Sequence, residues 1–146
     1  MTAQVVMAIA VGLAASIEDL ATRRISNWIP VAGLIGGLCW HTATSGWRGV
    51  LTAAAGAAAG FGVFLLFYIL GGMGGGDVKL MAGLGSLLGA TRLVEAALWT
   101  AAVGGFIAVG YLAVRALRPG PARNKESIPY APAIAIGAWL SLIPKG

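Results

Sequence analysis

Residues 50–70 form one unbroken apolar stretch without a charged side chain. A helix needs about 20 such residues to span a bilayer, with a range of roughly 17–25. The remaining sequence is similarly apolar, since 58% of the 146 residues are hydrophobic and only 10% are charged, whereas soluble domains carry about 25% charged residues. So few charges cannot cover a water-facing surface. The sequence therefore predicts an integral membrane protein with a single domain over residues 1–146.

Apolar runs on both sides of this stretch predict an all-α, polytopic membrane protein with about six transmembrane helices. The predicted spans, in chain order, are 2–17, 27–44, 50–70, 77–90, 95–114 and 127–142. The fourth span is short for a full crossing, so a re-entrant segment is the alternative. A full crossing requires that the glycine-rich loop before it dips into protein-lined space, where irregular backbone is tolerated.

The positive charges predict the orientation of these helices. Seven of the ten lysines and arginines lie in the loops that follow the first, third and fifth spans: Arg23, Arg24, Lys79, Arg115, Arg118, Arg123 and Lys125. By the positive-inside rule those loops face the cytoplasm, so both termini lie outside. The same rule accounts for the net charge of +5 without a nucleic-acid partner. It also places Asp19 and Asp77 at the cytoplasmic ends of their helices.

Asp19 and Asp77 are the only aspartates of the chain, and both adjoin apolar segments. An ionisable residue at such a place is costly and is therefore a candidate functional residue. Two carboxylates a few ångströms apart do not both ionise easily, so one stays protonated. Such a pair suits peptide hydrolysis, since one takes a proton from water and the other donates to the carbonyl oxygen. The alternative is structural: Asp77 caps a helix and Asp19 pairs with Arg23 at i+4.

Five of the six residues from Gly71 to Gly76 are glycines. Glycine permits positive φ and close backbone approach, so we expect Gly74, Gly75 and Gly76 to admit an extended substrate beside Asp77. A flexible connector is the alternative. Phosphate binding is disfavoured, because the Walker spacing and its Lys-Ser/Thr ending are missing.

Three motifs resemble those of the type IV prepilin peptidases. Residues 74–77 form a GxGD motif that continues as Val-Lys-Leu, residues 19–27 resemble the family's first aspartate region, and residues 128–135 (IPYAPAIA) resemble its last-span signature. The resemblance implies a bacterial inner-membrane aspartyl endopeptidase that cuts the short basic leader from prepilin-like precursors at the cytoplasmic face. It assigns catalysis to Asp19 and Asp77 and requires no metal or organic cofactor.

Two features depart from the pattern of this family. Ser26 stands where the family usually has proline. Long forms also carry a cytoplasmic domain with paired cysteines and methylate the new N-terminus, whereas this chain has only Cys39 and a short loop between its first spans. We therefore expect a short form that cleaves without methylating, like those that serve Flp/Tad pili.

Other residues receive weaker expectations. Lys79 either extends to lipid head groups or tunes the charge of the aspartate pair, Tyr130 is a candidate for the substrate groove, and Glu18 is expected to be a solvated helix end. No cysteine and histidine cluster has metal-ligand spacing, and His41 is expected to be structural.

Two rival functions stay open at this point. One is a small proton- or cation-coupled transporter or channel subunit with the aspartates at a broken helix, although the sequence has no inverted repeat. The other is a structural assembly subunit. The expected partners of the peptidase are the precursor and membrane lipid, and a homo-oligomer is an open alternative.

Overall fold

The computed structural model describes residues 2–117 and 130–143. Those residues form four helices, α1 (Ala3–Thr22), α2 (Trp28–Ile69), α3 (Gly75–Leu117) and α4 (Ala131–Ser141). By length and composition, α1, α2 and most of α3 are able to cross a membrane. The prediction of an all-helical membrane protein is therefore confirmed over the described ranges.

Helix α2 turns back on itself at Gly46. Its 42 residues would measure about 63 Å as a straight helix, twice the roughly 30 Å of a hydrocarbon core. Gly46 has φ 57° and ψ −135°, which no helix contains. Gly49 then packs directly against the carbonyl group of His41, although these residues would lie about 12 Å apart along a straight helix. The two halves, α2a (28–45) and α2b (47–69), therefore form a hairpin.

Helix α3 reverses in the same way at Gly89, which has φ 74° and ψ 165°. Beyond this corner the side chain of Leu93 lies beside Gly85, so α3a (75–88) and α3b (90–117) also form a hairpin. The described residues thus form six helical segments in the predicted order. The number of membrane crossings and the side on which the termini lie stay predictions.

The corner at Gly89 frees carbonyl groups at the end of α3a, as any helix end does. The carbonyl of Leu87 is satisfied by the side-chain amide of Gln4 and by Nε2 of His41 at 3.1 Å. His41 therefore ties α2a to the end of α3a. This contact is the structural role expected of it.

The segment boundaries lie close to the predicted spans, with α3b longer than its span. Helix α1 continues through Asp19, as its sequence suggested, and α3a covers 75–88 instead of 77–90. The last predicted span begins at 127, but residues 118–129 lie outside the described part, as do Arg118, Arg123 and Lys125. Within the described part α4 begins at Ala131.

Helix α3a is the buried centre of the fold. Its apolar side chains Leu80, Met81, Leu84 and Leu87 are fully buried. Glycines allow its neighbours to approach this closely, because a Cβ on Gly56 or Gly85 would overlap the carbonyl group of the other residue. Close approach through small residues is how helices associate in lipid. The packing places Asp77, at the start of α3a, beside the ends of α1 and α4.

Candidate active site

Asp19 lies in the last turn of α1 and is 8% exposed. The helix ends at Thr22, and Arg23 adopts a left-handed conformation with φ 56° while its N–H donates to the Asp19 carbonyl at 2.9 Å. The side chain of Asp19 accepts a hydrogen bond from the N–H of Ala131 at 3.2 Å. Ala131 is the first residue of α4, and a helix N-terminus carries partial positive charge. The bond therefore fixes the Asp19 carboxylate against the start of α4.

Asp77 is the third residue of α3 and is 7% exposed. Its Oδ2 accepts a hydrogen bond from the N–H of Gly74 at 3.2 Å, and its own N–H donates to the carbonyl of Gly74. A side chain that reaches back from the third helical position is a known way to satisfy the first turn. Asp77 thus caps its own helix, which was the structural alternative, and the cap also orients its carboxylate.

The two aspartates line one cavity of about 330 Å³, and their carboxyl groups interact electrostatically. The cavity lies between the end of α1, the α1–α2 connection, the glycine-rich loop and the start of α3. The side chains that line it with the aspartates are mostly basic or amide groups: Arg23, Arg24, Asn27 and Lys79. The fold therefore brings together two carboxylates that stand far apart in sequence. The spacing of the motifs alone does not establish that these two groups are neighbours in space.

The glycines of the loop differ in what they contribute. Positive φ occurs at Gly71, with φ 78°, and at none of Gly74, Gly75 and Gly76. A Cβ on Gly76 would lie 3.3 Å from Cβ of Ile25, whereas one on Gly75 would meet only the ring of Tyr68 at 3.7 Å. Positive φ is therefore not what these three glycines contribute beside Asp77, and the expectation that they admit a substrate stays a prediction. Gly76 is needed for close packing, while Gly74 and Gly75 are exposed and line the cavity.

Glu18, near the end of α1, binds the segment that connects α1 to α2. Its carboxylate accepts hydrogen bonds from the N–H of Ser26 at 2.8 Å and from the Ser26 hydroxyl group. Glu18 is not buried, as expected of a solvated helix end, but its carboxylate is also bonded to Ser26, a contact that was not predicted from the sequence. A proline at position 26 has no N–H to donate. The serine that stands there instead of the family's usual proline is therefore the sequence feature from which this contact could have been predicted.

Lys79 connects α3 to α2. Its Nζ donates a hydrogen bond to Oδ1 of Asn27 at 3.0 Å, and both residues line the aspartate cavity. Tyr130 is partly buried and borders a different, apolar cavity. It immediately precedes Ala131, the residue that binds Asp19. Lys79 thus lies at the site itself, whereas Tyr130 lies next to it.

Within residues 2–117 and 130–143, no three histidine, cysteine, aspartate or glutamate side chains form a group that could hold a metal ion. His41, at the Gly89 corner, is bonded to the Leu87 carbonyl instead. Cys39 is exposed on α2a.

The type IV leader peptidase family matches residues 6–109, a range that includes both aspartates. Similar proteins are the prepilin leader peptidase/N-methyltransferases of Aeromonas hydrophila, 31% identical over 132 residues, and of Burkholderia pseudomallei, 34% identical over 136 residues. These alignments cover 86% and 89% of this chain but 43% and 42% of the relatives.

A further relative from Bacillus subtilis is 34% identical over 90 residues, 60% of this chain and 34% of the relative. The chain therefore spans less than half the length of the relatives it matches. No solved structure matches it. On the family match and these identities, the chain belongs to the type IV leader peptidase family.

Proposed function

We propose that this protein is a membrane-embedded aspartic endopeptidase that removes the leader from prepilin-like precursors. The observation that carries the proposal is the burial of Asp19 and Asp77 in one shared cavity, where each carboxylate accepts a backbone N–H from the start of a helix. The relatives of the chain are named prepilin leader peptidases, which supports this substrate class. They do not favour the rival transporter function.

The proposed chemistry uses the two carboxylates as one unit. Like charges in one cavity disfavour ionisation of both groups, so the proposed reaction starts with one carboxylate ionised and the other protonated. The ionised carboxylate accepts a proton from a water molecule, whose oxygen attacks the scissile carbonyl carbon. The protonated partner donates to the carbonyl oxygen, which gives a tetrahedral intermediate with two hydroxyl groups. The C–N bond then breaks as the leaving nitrogen takes the proton that the first carboxylate accepted from water, and one hydroxyl group returns a proton to the second carboxylate.

Two backbone N–H groups hold the carboxylates ready for this step. Ala131 binds Asp19 and Gly74 binds Asp77, each at 3.2 Å. Hydrogen bonds of this kind reduce the motion of the reacting groups, and orientation contributes strongly to rate. The exposed backbone at Gly74 and Gly75 leaves room for an extended cleavage segment beside Asp77.

The basic groups around the cavity support a cytoplasmic location for the reaction. Arg23, Arg24 and Lys79 line the same cavity as the aspartates, and cytoplasmic ends of membrane helices carry such an excess. We propose that cleavage takes place at the cytoplasmic face of the bacterial inner membrane, on precursors of Flp/Tad-type pili.

A co-expression experiment tests the proposal. The protein is expressed with a candidate prepilin, and cleavage is followed by the mass of the pilin for wild type, Asp19→Asn and Asp77→Asn. Both variants keep the side-chain shape and are expected to leave the precursor uncut. Glu95→Gln, on α3b and outside the aspartate cavity, is the matched control and is expected to cleave. Normal cleavage by either aspartate variant would sink the mechanism.

A further inference from the structure

A second and larger cavity lies between α2b and α3b. It is an open cleft of about 500 Å³, and none of the described residues that line it is charged. The α3b positions that line it recur at i, i+3, i+4 and i+7, which is the spacing of one helix face. Many of them are small, including Ala97, Ala101, Gly104 and Gly105.

The cleft ends beside the two aspartates. Met73 lines it and directly precedes Gly74, whose N–H binds Asp77. Tyr130 lines the same end and directly precedes Ala131, whose N–H binds Asp19. A molecule that lies along the cleft therefore has one of its ends next to the two carboxylates.

The length of the cleft matches a membrane-spanning segment. Its α3b wall extends from Ala90 to Ala108, about 27 Å at 1.5 Å per residue, against roughly 30 Å for a hydrocarbon core. Within lipid a peptide segment must satisfy its own backbone groups, so a spanning segment is helical. Small residues allow the backbone of such a helix to approach closely, whereas a flexible acyl chain has no need of them.

From these features we infer that the cleft is the docking surface for an apolar helix of the precursor, in the segment that adjoins the scissile bond. The inference rests on the proposed peptidase function and adds a binding surface outside the aspartate cavity. Docking along α3b positions the precursor so that its scissile bond lies at Asp19 and Asp77. Side chains on one face of the bound helix fill the cleft, and its opposite face contacts lipid.

Two neighbouring alanines on α3b provide a matched test. Ala101 lines the cleft and Ala102 does not, and both are exposed, so a tryptophan at either position leaves the core intact. Ala101→Trp is expected to raise the KM for the full precursor roughly tenfold, while Ala102→Trp behaves like wild type. A short peptide that spans the cleavage site without the apolar segment is expected to be cleaved equally by all three proteins in detergent.

Cross-linking gives a second readout that does not depend on turnover. In a Cys39→Ser background and with an added thiol oxidant, Gly105→Cys is expected to form a disulfide with a single cysteine in the apolar segment of the precursor. Phe106→Cys, 82% exposed and outside the cleft lining, is expected to form none.

The outcomes separate the two proposals. If wild type cleaves neither substrate, the peptidase function fails. If wild type cleaves both but Ala101→Trp equals Ala102→Trp on the full precursor, the docking surface is wrong while the function stands. Loss of a co-purifying phospholipid from Ala101→Trp with unchanged cleavage identifies lipid as the occupant and also overturns the inference.

Discussion

The backbone N–H of Ala131 donates a hydrogen bond to the carboxylate of Asp19 across 112 positions of the chain. This contact joins the N-terminus of α4 to the last turn of α1. The next residue, Pro132, has no N–H of its own, so Ala131 supplies the donor at this place. The bond links the stability of the helix packing to the orientation of a proposed catalytic group.

Substitution of Asp19 is expected to separate these two effects. Asp19→Asn keeps an acceptor for the Ala131 N–H but removes the charge, whereas Asp19→Ala leaves a buried N–H without a partner. An unsatisfied buried group costs about 1–3 kcal/mol. We therefore expect both variants to be inactive, with Asp19→Ala alone less stable by about that amount in thermal unfolding in detergent. Equal stability of the two variants would show that the bond contributes nothing.

Lys79 and Asn27 are expected to act as a pair. Lys79 lies two residues beyond Asp77 and binds Asn27, the residue just before α2, so the bond helps to set the position of the start of α3. A double-mutant cycle of Lys79→Ala and Asn27→Ala on kcat/KM is expected to give a coupling of roughly 0.5–1.5 kcal/mol, about two- to tenfold in rate. Additive losses would contradict the pairing. Arg48→Ala, at the start of α2b just after the turn at Gly46, is the control and is expected to leave the rate unchanged.

Two glycines of the glycine-rich loop, Gly71 and Gly75, are expected to respond differently to substitution by alanine: one in stability and the other in cleavage. Gly71 has φ 78°, and a side chain in this conformation costs about 1–2 kcal/mol, so Gly71→Ala should lower the unfolding temperature. A Cβ on Gly75 meets nothing closer than 3.7 Å, so Gly75→Ala should fold normally. Gly75 lines the cavity that holds the two aspartates, so we expect the added methyl group to narrow that cavity and cleavage to fall roughly tenfold or more. Wild-type cleavage by Gly75→Ala would make this glycine a simple connector.

Close packing of α2b on α3a predicts a contrast between two helical glycines. A Cβ on Gly85 overlaps the carbonyl of Gly56, whereas one on Gly62 has no neighbour within 4 Å. Gly85→Ala is expected to destabilise the protein by about 1–3 kcal/mol through overpacking. Gly62→Ala should be neutral or stabilising by up to about 1 kcal/mol, since alanine favours the helix. Chemical denaturation of both variants in the same detergent checks the order.

Much of the architecture follows from local sequence. Helices form through hydrogen bonds between residues four apart, so apolar runs predict them from a short window, and the order of the six segments is as predicted. The turn at Gly46 falls in a predicted polar connection. The corner at Gly89 falls inside a predicted span and was not predicted. The reason is that a single glycine in an apolar run looks the same in the sequence whether the helix continues or reverses there. Only its contacts with Thr52 and His41 distinguish the two.

The sequence by itself determined an all-helical membrane protein with two costly aspartates, one of them in a GxGD motif. These features depend on hydropathy, charge and short-range spacing. Tertiary structure alone decided that Asp19 and Asp77 share a cavity, that Ala131 binds Asp19, and that Glu18 binds Ser26. The physical reason is that these contacts depend on how glycine-lined helices pack together, and a contact across 112 positions leaves no trace in local composition.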